Sequence, residues 1–118
     1  MLSKENRLSA KDNFDRIKKE GKTFQAESFS AVLYKREDDQ PIRIGIIISN
    51  KISKSAVARN RIKRILKEIL LPNIALLKKG YSLIFLVKRK VILKTKEDLR
   101  LDMTILLEKM ELKNEKNN

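Results

Sequence analysis

A basic segment in the middle of the chain carries the residue types best suited to bind a polyanion. From Lys51 to Glu68 the sequence holds seven basic residues and one acidic residue. Arginine offers a rigid fork of donors that matches phosphate oxygens, lysine adds a mobile charge, and asparagine can contact a sugar or a base edge. The segment therefore predicts contact with a nucleic-acid backbone. Its candidate residues are Lys51, Lys54, Arg59, Asn60, Arg61, Lys63, Arg64 and Lys67.

The spacing of this segment predicts a helix with two different faces. Ser55 is a favourable N-cap and Pro72 interrupts the pattern, which predicts a helix from Ala56 to about Leu71. At 100° per residue the apolar side chains share one arc and most of the cations share another. One face is expected to pack on a core while the other points its cations outward. The apolar arc contains Ala58, Ile62, Ile65, Leu66, Ile69 and Leu70.

The alternative interpretation is that these cations form the solvated face of an amphipathic helix, as most helical charge runs do. Solvated faces usually intersperse acids that form pairs four residues apart. Here Glu68 is the one acid in the segment. The pattern favours a binding surface, and the solvated face stays the alternative.

The charge of the chain is concentrated around the same segment. Lysine and arginine outnumber aspartate and glutamate by 28 to 15, a net charge of +13 over 118 residues. Residues 1–49 carry 10 basic and 8 acidic groups, residues 50–87 carry nine and one, and residues 88–118 carry nine and six. A length of 118 residues suits one small domain. The focused excess indicates a surface for a polyanion.

Several chemistries are excluded by composition. The chain has no Cys and no His, which removes disulfides, Cys-rich zinc sites, thiol nucleophiles and His-based general bases. No catalytic residues are predicted. The acidic run from Glu37 to Asp39 could bind a metal, but beside Pro41 it is interpreted as a solvated turn. With neither a signal peptide nor a membrane span evident, a soluble cytoplasmic protein is the expectation.

The remaining patterns predict a single α+β domain over residues 1–112, followed by a frayed polar tail that begins at Leu112 or Lys113. A capping pattern at Ser9 and the stop at Gly21 predict a first helix over 10–20. Strands are expected over 24–34, with an extra arm at 22–26, over 42–49, and over 81–87. The second of these is apolar enough to be central in the sheet. A capping pattern at Thr95 opens a last helix to about Met110.

The central stretch, RIGIIISNKISKSAVARNRIKRILKE, resembles the signature of the bacterial ribonuclease P protein family. In that family a strand ending in Arg-Ile-Gly and a Ser-Lys-Lys segment lead into an Arg-Asn-Arg helix. Weaker matches extend the resemblance over nearly the whole chain, at Arg7-Leu8, Phe14, Gly21-Lys22 and Phe29.

The resemblance implies a non-catalytic subunit of a ribonucleoprotein endonuclease that removes the 5′ leader of precursor tRNA. The RNA subunit would supply the active site and bind most of the Mg²⁺. The expected partners are that RNA and precursor tRNA, with a protein monomer in a one-to-one complex.

The resemblance also divides the site residues between two surfaces. The basic segment would face the RNA subunit, and a cleft between the first helix and the sheet, with Phe14, Lys18 and Tyr34, would take the leader. Phe14 could equally be a core residue. Phe29 and Tyr34 lie on opposite faces of one strand, so at most one of them faces the leader. The sequence departs from the family pattern at Asn50, where lysine is usual, at Ser53, where glycine is usual, and at Lys67, where arginine is common.

Two further expectations concern fold and alternatives. The resemblance implies helices on a small mixed sheet with a left-handed β-α-β crossover, as in some ribosomal proteins, whereas general rules favour the right hand. A structural RNA-binding protein of ribosomal type is the alternative function. A DNA-binding regulator would need a helix-turn-helix pair, which is not evident.

Overall fold

The computed structural model of the protein describes residues 3–9, 12–49 and 51–113. The element order α-β-β-β-α-β-α and the α+β class are confirmed. Short 3₁₀ turns lie at Lys4–Asn6, Leu71–Leu76 and Arg89–Leu93. The helices and strands are α1 Phe14–Glu20, β1 Lys22–Gln25, β2 Phe29–Lys35, β3 Arg43–Ile47, α2 Ala56–Leu70, β4 Tyr81–Val87 and α3 Lys96–Lys109.

The four strands form one mixed sheet in the order β1-β2-β4-β3. β1, β2 and β4 pair antiparallel, and β3 pairs parallel with β4. The prediction that the strand over 42–49 is central is wrong, because β4 lies between β2 and β3. β3 looks central in sequence because the N-terminal segment covers it: the Leu8 N–H donates to the Ile44 carbonyl at 3.1 Å. The Asn6 amide likewise donates to the Ile42 carbonyl at 2.9 Å.

The sheet is covered on both faces, by different helices. α2 and α3 pack on one face, where Leu66, Phe85 and Leu106 are fully buried. α1 packs on the other face, where Ile17 meets Val32 and Ile84. The molecule therefore has two separate surfaces, one beside α2 and α3 and the other beside α1. The β3-α2-β4 crossover joins parallel neighbours, and its left hand stays a prediction.

The ends of the helices follow their caps. Ser55 accepts from the Ala58 N–H at 3.2 Å, and Thr95 with Asp98 forms a full capping box, which confirms both predicted starts. The first helix begins later than predicted, because Asn13 is its N-cap.

The predicted capping pair at the start of the first helix forms a separate turn instead. The backbone N–H of Ser9 donates to the Asp12 carboxylate at 2.9 Å, and Arg43 binds the same carboxylate at 2.9 Å. Asp12 therefore bonds both to Ser9, as the predicted pattern requires, and to β3, but the helix itself begins after Asn13. Residues 10 and 11 lie outside the described residues.

Gly21 ends α1 by close approach rather than by an unusual backbone angle. Its φ is −74°, in the extended region. A Cβ at this position would lie 2.5 Å from the Ile17 carbonyl oxygen and 2.6 Å from a Val32 methyl carbon. Because glycine has no Cβ, the end of α1 can pack closely against β2.

At the other end of the chain, Leu112 is 1% exposed and its carbonyl accepts from the Lys78 N–H at 2.9 Å. The prediction that fraying begins at Leu112 is wrong, because this side chain completes the core. Residues 114–118 lie outside the described residues.

Among the residues described, no helix has the length and apolar character needed to cross a membrane.

Candidate nucleic-acid interface

The apolar arc of α2 fixes the rotation of the helix on the sheet. Leu66, Ile69 and Leu70 are buried, and Ile62 and Ile65 are half-buried against the same core. Burying side chains of this size contributes about 1.5 to 3 kcal/mol each, which is ample to hold one face inward. The predicted two-faced helix is confirmed.

The opposite face of α2 and the loop before the helix present the predicted cations. Lys51, Lys54, Asn60, Arg61 and Arg64 are exposed. Arg59, Lys63 and Lys67 are half-buried. Within residues 3–9, 12–49 and 51–113, none of the seven cations of the segment forms an ion pair. Their charge is therefore left for an external anion.

Glu68, the one acid of the segment, is engaged by a different helix. Its carboxylate accepts from the Lys96 ammonium at 2.9 Å. This hydrogen bond, with a smaller contribution from the nearby Arg64, lowers the pKa of Glu68. Glu68 thus offsets a charge on α3 in addition to that of its own face.

The loop before α2 is held against the helix by one of the candidate residues. Arg59 donates from its guanidinium to the Ser53 carbonyl at 2.6 Å, and Ser53 Oγ accepts from the Ser55 N–H at 3.2 Å. Among the described residues, only Glu111 and Gly80 have a positive φ. Serine at position 53, where the family usually has glycine, is accordingly compatible with this loop. Asn50 lies outside the described residues.

The predicted leader cleft corresponds to the sheet face beneath α1. Phe14 and Tyr34 are both half-buried there and pack against the cluster formed by Ile17, Val32 and Ile84. An added Cβ at Gly45 would lie 3.2 Å from the Phe14 ring, so glycine makes room for the ring on β3. Phe14 is therefore a packed residue with one side open.

The structure separates the two aromatics of β2. Phe29 is 0% exposed on the opposite face and meets Phe85 edge-on, with ring centroids 5.7 Å apart. Phe29 therefore cannot line the cleft, whereas Tyr34 lies on the face beneath α1. Lys18 is exposed one helical turn after Phe14.

Sequence reasoning missed Arg16 in this region. Its guanidinium lies over the Tyr34 ring, 6.0 Å from the centroid, and its Nε pairs with Glu20 at 2.6 Å. No sequence pattern signals the contact with Tyr34, because it joins α1 to β2 and these two elements meet only in the folded chain.

The acidic turn from Glu37 to Asp39 is paired with an arginine of the same chain. Asp38 pairs with Arg36 at 3.0 Å, and this hydrogen bond lowers the pKa of Asp38. The Arg36 guanidinium also donates to the Tyr81 and Pro41 carbonyls at 2.8 and 2.9 Å, which ties the turn to β4. In the described part of the chain, no group of three or more His, Cys, Asp or Glu side chains is placed to hold a metal ion.

Comparison with known proteins identifies the family. The family model for ribonuclease P matches residues 2–111. The ribonuclease P protein component of Thermotoga maritima is 32% identical over 109 residues, which cover 92% of this chain and 89% of that protein. That of a Synechococcus strain is 43% identical over 72 residues, which cover 61% of this chain and 54% of that relative.

Solved structures agree with the fold. The RNase P protein from Thermotoga maritima, in complex with 1-(4-fluorophenyl)-2-thiourea, matches with a TM-score of 0.75 and 28% identity. The match covers 86% of this chain and 96% of that one. The RNase P protein of Staphylococcus aureus gives a TM-score of 0.84 at 22% identity, covering 94% and 100%, a likeness of fold. The chain accordingly belongs to the ribonuclease P protein family, the protein components of a ribonucleoprotein endoribonuclease that acts in tRNA processing.

Proposed function

We propose that this chain binds the catalytic RNA subunit of ribonuclease P through α2 and the loop before it. The supporting observation is the outward face of α2 together with the loop before it, whose seven basic residues from Lys51 to Lys67 form no ion pair with the described residues. Cations that replace condensed counterions on RNA contribute to affinity and make it depend on salt. Arg59 has a second role, because it also holds the loop in place.

The second half of the proposal places the 5′ leader of precursor tRNA on the sheet face beneath α1. Phe14 and Tyr34 would contact unpaired bases, while Lys18 and Arg16 add positive charge at the rim. Because α1 and α2 lie on opposite faces of the sheet, the protein could hold the RNA subunit and the leader together. Cooperative positioning of this kind needs no catalytic side chain from the protein.

Chemistry is assigned to the RNA subunit and the Mg²⁺ bound to it. The described side chains offer no metal cluster, and the chain has no His or Cys for general acid-base or nucleophilic work. The role of the protein is to position RNA and to reduce repulsion between phosphates.

Reconstitution tests the proposal. The purified protein is mixed with a bacterial ribonuclease P RNA, and cleavage of precursor tRNA is followed at low Mg²⁺. The protein alone should cleave nothing, and the mixture should cleave at a Mg²⁺ concentration at which the RNA alone is inactive. A structural RNA-binding protein of ribosomal type would leave cleavage unchanged, and leader removal by the protein alone would refute the proposal.

A further inference from the structure

A groove between the start of α2 and the start of α3 exposes aliphatic side chains beside the basic face. Its volume is about 450 Å³, which is within the range of about 300 to 1,000 Å³ of small-ligand pockets. Val57 is 79% exposed and Ile92 is 59% exposed, and both line the groove. Ile62 of the apolar arc of α2 forms part of its floor.

Two basic residues, Arg61 and Lys94, line this groove, and they differ in whether an acid pairs with them. Arg61 is exposed and forms no ion pair with the described residues. Lys94 stands on the other side, where it is held by Glu27 at 2.9 Å. The Ser53 wall is fixed by the bond from Arg59. The groove therefore combines exposed aliphatic side chains with one cation, Arg61, that forms no ion pair with the described residues.

The combination of charge and apolar surface in the groove indicates which class of ligand it could bind. A purely apolar partner would gain nothing from Arg61, and a bare phosphate would gain nothing from Val57 and Ile92. A nucleotide carries both an anionic phosphate and a flat base that packs against apolar side chains. The neighbouring basic residues extend the positive surface along α2, as a continuous RNA backbone would require.

We propose that this groove takes one unpaired nucleotide of the RNA subunit, with its base against Val57 and Ile92 and its phosphate at Arg61. This inference rests on the proposed function, because it assumes that α2 faces the RNA subunit. The contact between the base and the two aliphatic side chains does not depend on charge. The groove is also separate from the face beneath α1, since it lies on the α2 side of the sheet.

The test removes apolar surface without removing charge. Val57→Ser and Ile92→Ser should each weaken binding to a bacterial ribonuclease P RNA by about 5-fold or more. A 5-fold loss is the lower end of the range that is expected when a stacked base loses its contact. The slope of log affinity against log salt should stay unchanged, because no phosphate contact is lost. Val57→Leu should retain affinity. Leu101→Ser, at a 65% exposed site on α3, is the matched control and should have no effect.

Melting curves establish that each variant folds, which the high exposure of both sites makes the expected result. Unchanged affinity in Val57→Ser and Ile92→Ser while Arg64→Ala weakens binding would overturn the groove and keep the proposed function. No effect from Arg64→Ala and its neighbours would overturn the proposed function itself. If Val57→Ser instead lowers binding to phosphatidylglycerol vesicles and leaves RNA affinity intact, the groove is a lipid contact and the inference is wrong.

Discussion

Phe14 contacts both the core and the open side of the cleft, so its two possible roles need separate measurements. Phe14→Leu keeps most of the apolar volume against Gly45 and should leave the melting temperature nearly unchanged. If the ring stacks on a leader base, the variant should lose about 1 to 3 kcal/mol of leader-dependent binding. The measurement compares precursor tRNA with the same tRNA lacking its leader, so that contacts to the tRNA body cancel.

Phe29→Leu is the matched control for this experiment. Phe29 is 0% exposed on the other face of the sheet, so the substitution should lower stability by about 1 kcal/mol and leave the leader-dependent difference intact. Should Phe14→Leu behave like Phe29→Leu, Phe14 is a core residue only and the leader contact passes to Tyr34.

Asp12 links the segment before α1 to β3 in a pH-dependent way. Burial raises the pKa of its carboxyl, but the Ser9 N–H and the Arg43 guanidinium together lower the pKa below the ordinary 3.8. The unfolded chain therefore binds the proton more tightly than the folded chain. The stabilisation from ionised Asp12 is complete above about pH 4 and is lost as the pH falls through the lower folded pKa.

Asp12→Asn should accordingly lower the free energy of unfolding at neutral pH. The variant should also lose less stability than the parent protein as the pH falls below about 4, as measured by urea unfolding across pH. In an Arg43→Gln background the same substitution should cost less, because the two side chains share one interaction. Equal costs in both backgrounds would show that the ion pair contributes nothing to stability.

The cations of α2 should act as phosphate ligands and not as generic surface charge. Arg59→Ala, Lys63→Ala and Arg64→Ala should each weaken assembly with the RNA subunit and reduce the slope of log affinity against log salt by about 0.7 to 0.9. Arg59→Ala should cost the most affinity, since it also frees the loop at Ser53. All three variants should fold.

Arg100→Ala is the control for this series, because Arg100 is an exposed cation of α3 that pairs with Glu97. It should change neither the affinity nor the slope. Equal slopes for the three α2 variants and the parent protein would instead support the alternative that α2 carries a solvated face.

How well each element could be predicted follows from whether its signals are local. The starts of α2 and α3 were predicted because Ser55 and Thr95 cap their own helices. The start of α1 was placed too early because Ser9 and Asp12 form their predicted bond in a separate turn, whereas Asn13 caps the helix itself. β3 was placed wrongly because apolar composition shows burial, whereas strand order depends on pairing with β4.

The candidate site divides in the same way. The outward cations of α2 follow from helical periodicity, which a sequence contains in full. The Arg16–Tyr34 contact and the Val57–Ile92 groove join elements distant in sequence, so only the packing of the folded chain reveals them. Phe29 was separated from Tyr34 by strand alternation, but which of them faces α1 required the structure.

Across the entire chain, a net charge of +13 is arranged on a small domain whose two sheet faces carry different helices. Acids neutralise the cations of the other elements in several pairs, such as Arg36 with Asp38 and Lys94 with Glu27. The α2 face forms no such pair within the described residues. The position of the unpaired charge, more than its total, therefore supports the proposal that the α2 face binds RNA.

The most direct test of that claim is a Mg²⁺ titration of precursor tRNA cleavage by a bacterial ribonuclease P RNA with two triple variants of equal net charge. One variant combines Arg61→Ala, Lys63→Ala and Arg64→Ala on α2. The other combines Lys4→Ala, Lys79→Ala and Arg100→Ala, at exposed sites elsewhere. We expect the α2 variant to need markedly more Mg²⁺ to reach half-maximal cleavage, whereas the control variant should match the parent protein. Equal Mg²⁺ requirements for the two triple variants would contradict this expectation.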